Sequence, residues 1–224
     1  DLTSGARNTA IGADAGENIT TGNDNTAIGS GTMVDLTTGS NNTSCGKGSL
    51  ALITTASNNN AVGYDAMNAN TTGTQNVAVG TQALDANTTA NSNVAIGYVA
   101  LGANTTGADN TAVGTAALDA NTTGSSNTAV GRSALGANTT ADYNTAVGGD
   151  SLKTATTATK NTGIGYEALE ATTTGSYNTA VGSNCMKLNT TGASKTAIGQ
   201  GALAKNTTTD NNVEIDINAM NKKT

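Results

Sequence analysis

A chain of 224 residues has room for one or two ordinary domains, but this one has no His, Trp, Phe or Pro and only five Tyr. A globular core built from large side chains is therefore excluded. The formal charge of −6 is thinly spread, without the Lys/Arg cluster that nucleic acid requires, and no apolar run is long enough to enter a membrane as a helix.

What organises the chain is a repeat. Glycine recurs from Gly12 to Gly199 at every seventeenth residue, and the thirteenth register falls on Asp216. The consensus is N-T-A-V-G-x-x-A-L-x-A-N-T-T-G-x-x. A register unbroken through twelve glycines leaves no room for loop insertions. That is the mark of a solenoid, in which each unit buries its face only against the next.

The first predicted element of each unit is a short strand ending at the glycine. The residue before the glycine is always apolar (Ile or Val, with Cys45 once), and the residue three before it is Thr or Val except at Asn60. These two columns share one face by period-2 alternation. The residue between them is Ala, Ser or Gly until the last register, so something packs closely on that side. Four before the glycine stands Asn, except at Lys195; such a column predicts an amide ladder along the stacking axis. The glycine itself is expected at φ > 0 to turn the corner.

The next element carries Leu or Met four after the glycine, from Met33 to Leu203, the one large core residue of each coil. A short helical turn also fits the Ala-Leu segment. Thr-Thr follows in all twelve registers, from Thr20 and Thr21 to Thr207 and Thr208. Its β-branching predicts a second short strand, closed by a turn at Gly or Ala. Charged residues fall mostly in the variable slots, the solvent side of the coil.

The expected fold is thus all-β: an elongated repeat β-solenoid, or fibrous β-roll, of stacked 17-residue coils. Residues 1–211 form the repeat shaft, and 212–224 a degenerate last repeat, a cap or transition. The structural core is assigned to Val113, Leu118, Val130, Leu135, Val147 and Leu152. Asp1 stands partway into a repeat and no signal peptide is visible, so the chain reads as a segment of something longer.

Nothing in the sequence points to catalysis. There is no His, no metal-ligand cluster, no strained G-x-S-x-G turn and no phosphate-loop lysine. No cofactor or metal is expected, and the chain is not expected to be an enzyme. Cys45 and Cys185 lie eight registers apart, roughly 38 Å at the strand spacing, so no disulfide joins them within one chain. The Asn-Thr-Thr runs also match the N-glycosylation acceptor pattern, but ladders crowded with sugar could not stack.

Rows of threonine suggest a candidate surface ladder: Thr88, Thr89, Thr105, Thr106, Thr122, Thr123, Thr139 and Thr140. Regular charge-free threonine rows are how several ice-binding proteins match an ice lattice, but alternation points at least one Thr of each pair inward, leaving one exposed row where that pattern usually has two. A self-assembling extracellular filament is the third reading, disfavoured by the charges of Glu214 and Asp216 in otherwise fixed columns. The tyrosines stand beside the repeat glycine or the repeat Asn, where exposed rings are available to a glycan or a neighbouring chain.

Runs such as SSNTAVGRSALGANTTADYNTAVG, Ser125 to Gly148, resemble the repeats of bacteriophage tail-fibre proteins, often those with an endosialidase-type intramolecular chaperone. The N-T-A-V-G core is also similar to the S-V-A-I-G repeat of trimeric autotransporter adhesin heads. The resemblance covers Asn8 to Gly199 and no segment resembles the chaperone's catalytic part. It implies a homotrimeric structural fibre of a virion or cell surface: a rigid presentation shaft for attachment to a host receptor or glycan. On this resemblance the tight Ala column is a candidate meeting place for chains.

Overall fold

The computed structural model describes residues 4–216. It is an all-β, parallel β-solenoid of thirteen three-residue strands, one for each 17-residue coil, with no helix among the described residues. Two compact units divide the chain, Asp1–Asn110 and Thr111–Thr224.

The first unit holds β1 (Thr9–Ile11), β2 (Thr26–Ile28), β3 (Thr43–Cys45), β4 (Asn60–Val62), β5 (Val77–Val79) and β6 (Val94–Ile96). Each pairs in parallel with the next, like residue on like residue, as Ala61 on Ala78 and Val62 on Val79. The second unit repeats this with β7 (Thr111–Val113), β8 (Thr128–Val130), β9 (Thr145–Val147), β10 (Thr162–Ile164), β11 (Thr179–Val181), β12 (Thr196–Ile198) and β13 (Val213–Ile215).

The strand-ending glycines take φ between +130° and +139°, a region open in practice only to glycine. A Cβ on Gly63 would also sit 2.5 Å from the carbonyl oxygen of Gly80 in the next coil. Close coil-to-coil contact and backbone geometry thus demand the same residue. After the glycine, two turns run in succession: the Ala83 N–H donates to Gly80 O at 3.3 Å and the Asn87 N–H to Leu84 O at 3.3 Å. Neither an extended strand nor a helical turn forms at the Ala-Leu segment. The core leucine itself is left-handed, φ 54° at Leu84 and 51° at Leu135, a strained setting that persists because packing over-determines it.

The second strand expected at Thr-Thr is replaced by a bend. Donors there converge on one carbonyl instead of alternating along a ladder. Thr88 O accepts the Thr71 N–H at 2.9 Å, the Thr71 hydroxyl at 3.0 Å and the Thr72 N–H at 3.3 Å. An extended chain cannot aim two successive N–H groups at one acceptor, because they point to opposite edges.

The interior is narrow. Leu84, Leu101, Leu118, Leu135 and Leu152 are fully buried, as are the strand alanines Ala78, Ala95, Ala112, Ala129 and Ala146. The Ala of each strand therefore points into the coil, and its two neighbours point out. Val113, Val130 and Val147, expected in the core, are only half-buried on the outer face. Space facing the leucine row admits little more than a methyl group. For the same reason the Ala column is sealed inside its own coil and cannot be where chains meet.

The Asn column also lies inside, as an amide ladder that is unbroken in the first unit and runs to Asn178 in the second. In the first unit the Asn93 N–H donates to Asn76 Oδ1 at 2.9 Å, while Asn93 Nδ2 donates to Gly107 O at 2.9 Å. In the second unit the N–H groups of Asn144, Asn161 and Asn178 donate to the preceding Asn at 2.9–3.0 Å. Each amide satisfies a backbone N–H of the next coil and a carbonyl of its own turn, the full satisfaction that buried polar groups need.

Candidate interaction surface

Three outward features remain once the interior is assigned. The first is the strand face, with a Thr/Val row beside an Ile/Val row. Ile28, Val62, Val79, Ile96, Ile164 and Ile198 are each 38–41 % exposed. No charged side chain stands in either row from β1 to β13. Cys45 occupies this apolar row with its thiol exposed, whereas Cys185 is buried, its Sγ 3.3 Å from Ala197 O and its thiol pushed up to about 11 by burial.

The second feature is the threonine pair. Its two rows are not equivalent. Thr88, Thr105, Thr122 and Thr139 are half-buried. The hydroxyls of Thr88, Thr122 and Thr139 donate to the Thr carbonyl of the next coil at 3.2, 3.0 and 3.3 Å. Thr89, Thr106, Thr123 and Thr140 are exposed. One outward row stands at this corner, while the strand face carries two side by side.

The third is the tyrosines, each 49–60 % exposed. Tyr64, Tyr98 and Tyr166 follow strand-ending glycines, and Tyr143 and Tyr177 precede ladder asparagines. Asp65 bonds the Tyr64 hydroxyl and Glu167 that of Tyr166, and each carboxylate pushes the phenol pKa up.

Two sites break the columns. Lys195 replaces a ladder Asn and is 1 % exposed. Its N–H still closes the ladder, donating to Asn178 Oδ1 at 3.1 Å, and its Nζ donates to Asn189 Oδ1 at 2.6 Å and Asn206 Oδ1 at 2.8 Å. Burial without a paired carboxylate lowers its pKa to about 8. Glu214 stands in the Ala column of β13, 6 % exposed, with neither carboxylate oxygen hydrogen-bonded among the described residues.

A second amide ladder escaped the sequence reading. The place seven after the glycine holds Asn70, Asn87 and Asn104 in the first unit, linked Nδ2 to Oδ1 at 2.9 and 3.2 Å. The available signal was the N of N-T-T, which repeats less regularly because Ile19, Leu36, Ile53, Ala155 and Thr172 share its column. Among the described residues no group of acidic, His or Cys side chains is placed to hold a metal, and no helix is long and apolar enough to cross a membrane.

Comparison with protein-family models, with curated proteins and with solved structures found no match.

Proposed function

We propose that the chain is a structural fibre segment, a rigid presentation shaft of a phage tail fibre or bacterial surface adhesin, built as a homotrimer on a virion or cell exterior. The observation that carries this reading is the exposed Ile/Val row of the strand face. A coil that buries the Leu/Met column from Met33 to Leu203 and the strand alanines from Ala27 to Ala197 leaves this apolar column facing out, repeated coil after coil and free of charge. An apolar stripe of this regularity is an interaction surface. A copy of the same chain presents the same spacing with no like-charge penalty. Three chains turning this row towards a common axis would cover it, and the coil-to-coil hydrogen bonds supply stiffness along the shaft.

Cys45 supplies the test, since it lies in that row and is exposed while Cys185 is buried. Light scattering after chromatography should give three chain masses. Mild oxidation should link chains through Cys45, and Cys45→Ser should abolish the link. A monomeric mass with a freely alkylated Cys45 defeats the trimer.

The strand face also favours a second reading, ice binding, because its two adjacent charge-free rows are the flat threonine-bearing surface that the Thr-Thr corner lacks. The two readings compete for one face. A monomer showing thermal hysteresis, lost on Thr128→Lys, supports ice binding; a trimer without hysteresis supports the shaft.

A further inference from the structure

Four of the five tyrosines fall into two rows of the same pattern. In the first unit Tyr64 and Tyr98 occupy the same place two coils apart, with exposed Thr81 in that place on the coil between. In the second unit Tyr143 and Tyr177 are again two coils apart, and the intervening residue is exposed Lys160. Tyr143, Lys160 and Tyr177 share one backbone conformation, φ 60°, 56° and 61°, so their side chains leave the coil in the same direction. Lys160 Nζ lies 5.1 Å from the Tyr177 ring centroid and donates to its hydroxyl at 3.4 Å.

We propose that each Tyr–polar–Tyr row binds an uncharged, extended, β-linked polysaccharide running along the stacking axis. The proposal deepens the attachment-shaft reading by naming what the shaft grips, but it does not require the trimer. Two coils span about 10 Å at the strand spacing, close to the length of two linked pyranose rings in an extended chain. β-Linked pyranoses whose substituents are all or mostly equatorial present axial C–H faces that stack on aromatic rings. Every second sugar would meet a tyrosine, and the sugar between would meet the Thr81 hydroxyl or the Lys160 ammonium. An uncharged ligand fits because Asp142 adjoins Tyr143 and offsets Lys160, and because the chain's net charge of −6 repels anions. A protein partner would cover a continuous patch; here each ring is separated from the next by a polar residue.

The chain lacks Trp, so its intrinsic fluorescence comes from its five tyrosines, four of which stand in these rows. Cellulose-, chitin-, mannan- and xylan-type hexasaccharides are titrated into the wild-type chain and into Tyr64→Ala/Tyr98→Ala and Tyr143→Ala/Tyr177→Ala. At least one probe should quench the wild type, and each double variant, with two stacking contacts removed from its row, should weaken that row's binding about tenfold. Thermal unfolding should not move, because all four rings are exposed. Failure of all four probes, or binding untouched by both double variants, overturns the proposal. If the mass remains trimeric in that case, the shaft reading stands alone; binding by a monomer would preserve the polysaccharide site and remove the trimer.

Discussion

Within the Asp1–Asn110 unit, the same corner of the coil is built in two ways. Early coils place Ile19, Leu36 and Ile53 seven residues after the glycine, all buried; later ones place Asn70, Asn87 and Asn104 there, buried as well. The 17-residue pitch and the strand register are the same in both. The difference lies in redundancy: Gly73 O accepts from Asn59 Nδ2 at 2.9 Å and from Asn70 Nδ2 at 3.0 Å, whereas Gly39 O receives a side-chain donor from Asn25 at 2.9 Å. The first ladder alone satisfies the turn carbonyl, so the second column is free to be apolar or amide, provided that neighbours agree.

That proviso makes the comparison breakable. The largest effect is expected in the first ladder, where Asn76→Leu strands the buried Asn93 N–H and overfills the corner, costing about 2–4 kcal/mol. Denaturant titration measures it, and an unchanged midpoint would remove the ladder from the fold's essentials. A smaller cost, about 1–2 kcal/mol, is expected for Asn87→Leu, which leaves Asn70 Oδ1 without its donor. Converting Asn70, Asn87 and Asn104 together to Leu should recover most of that loss, because no amide is left unmatched. The second unit already shows such a mismatch, since Asn138 Oδ1 has no partner where Ala155 follows in its column.

The smallest effect concerns Lys195, where Lys195→Asn should restore the ladder and raise stability by about 1 kcal/mol. Its pH dependence sharpens the point. The folded pKa of about 8 lies below the ordinary 10.5, so between these values the unfolded chain binds a proton that the folded chain lacks. Stability should therefore rise with pH from 7 to 9 in the wild type, and this rise should vanish in Lys195→Asn. Above pH 9 the Cys185 thiol, raised to about 11, opposes it, because the unfolded chain then ionises first.

Much was legible in the sequence. The pitch, the glycine corner, the buried Leu column and the Asn ladder each leave one residue type in one place, because each position has a single physical demand. The Thr-Thr bend was not legible: β-branching reports a preference for extended backbone, and only the converging donors at Thr88 O show why the chain turns there. The second ladder was blurred because its column tolerates two solutions.

The sequence by itself determined that Thr and Val share one side of each strand and that Ala takes the other. It could not determine which side faces in, because alternation has no sign. Only the tertiary structure decided that, by closing a 17-residue coil so tightly around its leucine that a methyl group fits opposite and a valine does not. The smallest residue therefore lines the core, and the larger apolar one is left on the surface, where a partner can meet it.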